Sequence, residues 1–342
     1  MNHKNILITG AAGFIGSNFI DYLIYDEEIK DINLIVIDNL SYCGNLNNLS
    51  FAEKFSNYKF IKGDICDSAL LEKIIQDNNI DSIIHFAAES HVDRSIMDST
   101  PFLINNVLGT VKLLDVAKKY KISKYLQVST DEVYGSLGSD DHGFTEKNNI
   151  TPNSPYSASK AAADHFVMSY YTTHKLNVLI TRCSNNYGPK QFPEKLIPLM
   201  IQNAINNKEL PVYGDGMNVR DWIYVKDHCA AIWKVFNEGE FGEVYNIGGE
   251  CEKPNIEIVK TILKKLGKSE KLIKYVSDRP GHDRRYAMDI SKIKNQLNWT
   301  PKIDFEKGIE ATIDWYLNNL EWINDIVSGE YLEYYKKQYG EK

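Results

Sequence analysis

Short runs rich in isoleucine, valine and leucine recur through the first half of the chain, at Asn5 to Thr9, Leu34 to Ile37, Lys59 to Ile61, Ser82 to Phe86, Tyr125 to Val128 and Val178 to Thr181. Each has strand length, is bounded by polar or turn residues and lacks the strict alternation of a strand with one wet face, which predicts buried parallel strands. The stretches between them, Ile15 to Tyr25, Leu70 to Asp77 and Phe102 to Tyr120 among them, have the length of crossover helices. The repeated βα rhythm predicts an α/β fold with a doubly wound parallel sheet, the C-terminal ends of all strands at one edge. A ligand is expected at that edge.

Beyond about Gly188 the rhythm weakens. Pro189, Pro193, Pro198 and Pro211 punctuate the chain, and short mixed elements follow up to a last helix near Phe305 to Leu320. Residues 1–187 are therefore expected to form the sheet domain, and residues 188–342 a smaller, mixed α/β substrate lobe with a soft, interleaved boundary. No internal repeat or low-complexity linker separates the two.

Composition narrows the function. Hydrophobic residues make up 43% and charged residues 25% of the 342, which is ordinary for a globular protein. A net charge of −7 argues against nucleic-acid or anionic-membrane partners, so an anionic ligand must meet a local basic cluster. The five cysteines are scattered and never in Cys-x-x-Cys spacing, which suggests neither a disulfide framework nor a metal site and fits a reducing cytoplasm. No apolar run approaches the ~18 residues of a membrane span.

Gly10, Gly13 and Gly16 follow the first strand and open the first helix, so they allow a tight turn and close approach of a pyrophosphate to the helix N-terminus. Their Gly-x-x-Gly-x-x-Gly spacing departs from the commoner Gly-x-Gly-x-x-Gly, and three glycines alone are a weak signal. Asp38 ends the second strand, where a carboxylate accepts from a ribose 2′-hydroxyl and repels a 2′-phosphate, which favours NAD over NADP and a Rossmann-type domain. Asp64, after the third strand, suits either the adenine amino group or the cap of the next helix.

Tyr156 and Lys160 are four apart at the start of an alanine-rich helix and share one face. A phenol with pKa near 10 is about one part in a thousand ionised at pH 7, so its use as a base needs roughly 4 kcal/mol of electrostatic help. Lys160 and a nicotinamide cation are expected to supply it. At the end of the fifth strand, Thr130, Asp131 and Glu132 bring a hydroxyl and two carboxyls to the ligand edge. An elimination needs one group to remove a carbon-bound proton and another to protonate the departing oxygen, and two carboxyls in unlike environments divide those tasks. Continued strand geometry would send Asp131 and Glu132 to opposite faces, so this expectation requires a turn. His91 is read either as a ligand contact or as part of a His-Asp-Arg network with Asp93 and Arg94. Arg220 and the run Arg279, His282, Arg284 and Arg285 offer a diphosphate site, or surface ion pairs with Asp278 and Asp283.

Along nearly its whole length the chain resembles the extended short-chain dehydrogenase/reductase family, and within it the nucleotide-sugar 4,6-dehydratases acting on dTDP-glucose. The stretches that carry this are Phe86 to Ser95, Ser129 to Gly135, Ser184 to Pro189, Phe192 to Pro198, Arg220 to Trp222 and Arg279 to Asp283. The related 4-epimerases usually carry a small residue where this chain has Asp131. The resemblance implies that Tyr156 takes the sugar O4 proton as hydride leaves C4 for NAD, with Thr130 steadying the oxygen. Glu132 then removes the C5 proton, Asp131 protonates the departing C6 hydroxyl, and hydride returns to C6. It implies cofactor contacts from Gly10, Gly13, Phe14, Ile15, Gly16, Asp38, Asn39, Leu40, Ser41, Asp64, Ile65, Phe86, Ala87, Ala88, Ser90, Asn105, Tyr156, Lys160 and Asn186. For the sugar nucleotide it implies Ser90, Thr130, Asn185, Lys195, Leu196, Ile197, Pro211, Val212, Tyr213, Arg220, Asn255, Arg279 and His282. Asn105 stands where relatives often have threonine, and the stretch between Gly135 and Thr151 is short. A homodimer through the helices before Tyr120 and after Tyr156 is implied as well. The alternatives are a UDP- or GDP-sugar 4-epimerase or 4,6-dehydratase of the same family, or an NAD-sensing regulator without catalysis, against which the intact Tyr156, Lys160, Asp131 and Glu132 argue.

Overall fold

In the first strand Ile6 and Ile8 face one helical layer and Leu7 faces the other, all three fully buried, which is the signature of a strand covered on both sides. The computed structural model describes residues 3–326. Its main sheet is parallel and seven-stranded in the order β3, β2, β1, β4, β5, β6, β10. The strands are β1 (Asn5–Thr9), β2 (Asn33–Asp38), β3 (Tyr58–Lys62), β4 (Ser82–His85), β5 (Lys124–Thr130), β6 (Val178–Cys183) and β10 (Val244–Ile247). Six of them match the apolar runs. The edge strand β3 is only partly buried, contrary to the expectation of full burial, whereas β10 at the opposite edge is buried along most of its length.

Helices α1 (Phe14–Tyr25), α8 (Val225–Glu238) and α10 (Ser291–Leu297) cover one face. On the other lie α2 (Ser68–Asp77), α5 (Thr110–Lys119) and α6 (Pro155–His174). The stretch expected as one helix from Phe102 to Tyr120 is instead a short α4 (Thr100–Phe102), a π-helical segment (Leu103–Gly109) and α5, preceded by α3 (Val92–Met97). Such segments are frequent at functional sites. Here it lets two consecutive residues turn inward. Asn105 lines the ligand cleft, and Asn106 exchanges hydrogen bonds with the backbone of Glu89 and donates to Ser159 Oγ at 2.8 Å.

The smaller lobe has its own core around Leu199, Met200, Ile258, Ile262 and Ile309, built from α7 (Leu196–Ile205), α9 (Asn255–Lys265) and α11 (Phe305–Asn318), with α12 (Leu320–Ile326) after them. Its sheets are β7 (Asn185–Tyr187), β9 (Val219–Tyr224) and antiparallel β11 (Glu252–Pro254), and the parallel pair β8 (Leu210–Tyr213) and β12 (Ile273–Val276). Between residues 225 and 247 the chain returns to the large layer, adding α8 and pairing β10 with β6. Of the span 188–342 read as the smaller lobe, residues 327–342 lie outside the described part.

Candidate active site

The C-terminal ends of β1, β4, β5 and β6 open into one cleft of about 300 Å³. It lies where the sheet order reverses between β1 and β4, the crevice that favours ligands in open α/β folds. At one end Gly10 has φ +72°, and a Cβ there would sit 2.5 Å from the Ala87 backbone. Gly13 caps α1 without any side-chain bond, so the first-turn N–H groups face the cleft uncovered. Asp38 accepts from Ala12 N at 3.0 Å and Leu40 N at 2.8 Å, so it pins the glycine turn as well as lining the cleft. Ile37, Ile65, Phe86 and Ala87 give apolar walls. This fits a dinucleotide: an anion cradle at a helix end, an acid beyond β2, a dry slot beside them. We expect Gly10→Ala to yield protein with little or no bound dinucleotide, measured by release on denaturation, since the left-handed backbone alone costs about 1–2 kcal/mol and the methyl meets backbone. Full occupancy would contradict it.

At the other end the fifth strand does turn. Thr130 caps a single 3₁₀ turn, Asp131–Tyr134, its Oγ1 accepting from Glu132 N at 3.3 Å and donating to Asp131 Oδ1 at 3.2 Å. Both acids therefore line the same cleft instead of opposite sheet faces. A reciprocal cap between Ser154 and Ser157, with Pro155 in the first turn, starts α6 just before Tyr156 and brings Tyr156 and Lys160 to the same cleft. Ser95 Oγ receives Tyr156 N at 3.1 Å, which fixes that helix end to α3.

The two carboxyls differ electrostatically. Burial lifts Asp131 far above the ordinary carboxyl range, and the charge of Glu132 adds to the effect, while Arg220 opposes it. Its Oδ2 is buried without a partner, as suits a neutral acid with a proton to give. Burial also raises Glu132, but Arg279, Lys195 and Arg220 all pull it back toward the ionised form. Tyr156 is pushed well above 10 by burial, then by Glu132 and Cys183. Lys160 donates to Val128 O at 2.8 Å, and burial lowers its affinity for its proton. The expectation that Lys160 favours the phenolate finds no direct support here, because burial first and the carboxyls after it hold the proton on the phenol.

Beyond the acids, Arg279 Nη1 reaches Asp93 at 3.4 Å, Tyr213 donates to Asp93 at 3.0 Å, and Arg220 stacks 4.3 Å over Tyr286. Neither arginine lines the cleft itself, but the charge of both reaches Glu132. Arg284 and Arg285 instead pair with Asp215 and Glu252 at the surface, whereas His282 has a buried side chain that contacts Asp278 and packs edge-on to Tyr213. His91 lines the cleft, its Nδ1 accepting from the Arg94 backbone N–H at the start of α3 and its Nε2 lying 3.8 Å from Glu194, so its contacts are not the expected ones with Asp93 and the Arg94 side chain.

The sequence model described as GDP-mannose 4,6 dehydratase matches residues 7–312. A dTDP-glucose 4,6-dehydratase of Xanthomonas campestris pv. campestris (strain B100) is 49% identical, covering 95% of this chain and 96% of its own. The chain belongs to the dTDP-glucose 4,6-dehydratase family. Solved members agree. The enzyme from Bacillus anthracis str. Ames, in complex with NAD, is 52% identical with a TM-score of 0.88, over 94% of this chain and 99% of that one. That of Streptomyces venezuelae, with NAD and a dTDP ligand bound, is 44% identical with a TM-score of 0.91 over the same shares.

Against this dehydratase frame some expected contacts shift. Asp64 does not line the cleft; its carboxylate accepts from Cys66 N at 2.8 Å in its own turn, and Asp67 caps α2. Leu40, at φ +57°, packs toward the core. Ile197 and Val212 are buried in the smaller lobe's core, which leaves only their backbones for a ligand. Leu196 also packs against that core, whereas Lys195 and Asn185 line the cleft. Cys43, Gly44, Gly63, Gln191, Phe192 and Glu194 line it too and were not singled out as ligand contacts. Burial pushes the Glu194 carboxyl up to about 7 against the pull of Lys195 and Arg94. Its signal in the sequence was an acid beside Lys195 in a proline-bounded loop.

Proposed function

We propose that this chain converts dTDP-glucose to dTDP-4-keto-6-deoxyglucose and water, with NAD as a resident cofactor. The observation that carries it is the convergence of Tyr156 with two electrostatically unlike carboxyls in the cleft that holds the glycine turn. Gly10, Gly13, Asp38, Ile65, Phe86 to Ala88, Asn105 and Asn186 hold the dinucleotide. Bound there, NAD would supply the acceptor for the C4 hydride and the donor that returns it to C6. Tyr156 receives the O4 proton while Thr130 holds O4; a positive charge above the phenol must first offset the carboxyls around it. The resulting 4-ketone acidifies the C5 proton. Glu132, kept ionised by Arg279, Lys195 and Arg220, takes that proton, and Asp131, held neutral by burial, protonates O6 so that it leaves as water. Glu132 then returns a solvent-exchanged proton to C5. Arg220, Arg279, Lys195 and Asn185 hold the nucleotide diphosphate and its neighbours.

Residues 1–187, with the return segment, hold the cofactor, and residues from 188 on hold the sugar nucleotide. Exposed Leu103, Ile104, Leu108 and Phe166 on the π-helical segment and α6 support a homodimer through these helices. All five cysteines are free thiols, in keeping with a reducing cytoplasm. Incubation with dTDP-glucose in D₂O is expected to give a sugar lighter by one water and deuterated at C5. Recovery of the C4 epimer without water loss would overturn the proposal.

A further inference from the structure

Tyr156 and Lys160 line the cleft, and Asp164 continues their row one turn further along α6, buried and outside the cleft. Asp164 Oδ2 accepts from Arg182 Nε of β6 at 2.9 Å, and its Oδ1 is buried without a partner. Arg182 Nη1 donates to Tyr134 Oη at 2.9 Å, its guanidinium 4.9 Å from that ring centre, and Tyr134 donates to Asn246 Oδ1 of β10 at 2.8 Å. Tyr134 closes the turn that begins with Asp131 and Glu132. The chain of contacts thus runs from the helix of the phenol and ammonium, through β6, to the turn of the carboxyl couple.

Resting on the function proposed above, we infer that Asp164 is a positioning residue that supplies Lys160 with its counter-charge and, through Arg182 and Tyr134, ties the two halves of the catalytic apparatus together. Burial drives Lys160 toward losing its proton, and Asp164 is the first group that opposes this. Arg182 on β6 is charged as well and shares Asp164 with Lys160, whereas Cys183, His85 and Tyr125 are neutral near pH 7. The Cys183 thiol on β6 is pushed up to about 12, and His85 on β4, bonded to Thr9 and Thr110, is pushed down to about 3. Tyr125 on β5, which also feels Asp164, is raised by burial, and the Val128 carbonyl accepts from Lys160 without carrying charge. A buried ion pair adds little net stability over an apolar pair of the same volume. Its service to Lys160 accounts for the Asp164–Arg182 pair better than stability does.

Two variants test this with the NAD-loaded full chain, after wild type has been shown to turn over dTDP-glucose; failure there would strike the proposed function and leave this inference aside. Asp164→Asn should move the alkaline limb of the kcat/KM profile down by about one pH unit, because the ammonium then loses its proton earlier, and Asp164→Glu should restore the limb. Tyr134→Phe keeps the ion pair but cuts the link to the turn. It should leave the alkaline limb in place and slow elimination about tenfold relative to C4 oxidation, seen as reduced-cofactor absorbance building up in the first turnover. If Asp164→Asn does not fold, the Tyr134→Phe partition decides. A folded Asp164→Asn with the wild-type limb, or Tyr134→Phe without reduced cofactor accumulating, overturns the inference.

Discussion

Replacing Glu132 with glutamine should give a protein that oxidises its sugar at C4 and stops there. The amide keeps the shape of the side chain but cannot take the C5 proton, whereas Tyr156 and Thr130, proposed to act at O4, are untouched. Loss of a positioned general base typically costs roughly 10²–10⁴-fold in rate. We expect overall turnover to fall by that amount while reduced cofactor and the 4-keto sugar accumulate, followed by absorbance and by chemical trapping of the ketone. The substitution also removes a charge that lifts both Tyr156 and Asp131, so the oxidation step should not slow and its rate should rise at lower pH than in wild type. Normal turnover by this variant would defeat the assignment of Glu132.

Tyr156→Phe attacks the opposite end of the cycle and should stop it at the first step. Without the phenol oxygen nothing on α6 reaches O4 to take its proton, and we expect a loss of roughly 10²–10⁴-fold with no reduced cofactor and no ketone at any time. The ring is almost buried and packs edge-on to Phe102, and phenylalanine keeps that contact, so folding and dinucleotide content should stay near wild type. The contrast is the point of the pair: one variant accumulates an oxidised intermediate and the other does not. If Tyr156→Phe still reduced its cofactor on addition of sugar, another base would have to be sought.

Much of this was legible in the chain. Buried parallel strands announce themselves as short β-branched runs, and six of the seven main-sheet strands were read that way. The seventh, β10, is only four residues long, is interrupted by the polar Asn246 and arrives after a long excursion, so no local pattern marks it as part of the same sheet. The π-helical segment was hidden because its apolar spacing passes for that of an ordinary helix. At the site, Gly10, Asp38, Tyr156, Lys160 and the Asp131–Glu132 couple were identified from residue type and placement after strands. The sequence also showed that a turn must follow Thr130 for the acids to act together, and that turn is present. What it did not show were the contacts made across long separations. Asp64 satisfies its own loop, and Arg284 and Arg285 find Asp215 and Glu252 at the surface. Glu194 becomes a cleft residue only when the loop after β7 folds over the ends of β2 and β4. Pairings of that kind depend on the packing of two lobes, which hydrophobic periodicity does not encode.

The central claim is that one hexose is surrounded by the phenol on one side and by two carboxyls of opposite protonation on the other. A crystal structure of the Glu132→Gln variant with NAD and dTDP-glucose tests it most directly. We expect Tyr156 Oη within hydrogen-bond distance of O4, the residue-132 side chain facing C5, and Asp131 beside O6, in the order that the sequence of proton transfers requires. A sugar seated in the cleft with O6 turned away from Asp131, or with C5 on the face remote from residue 132, would contradict the account.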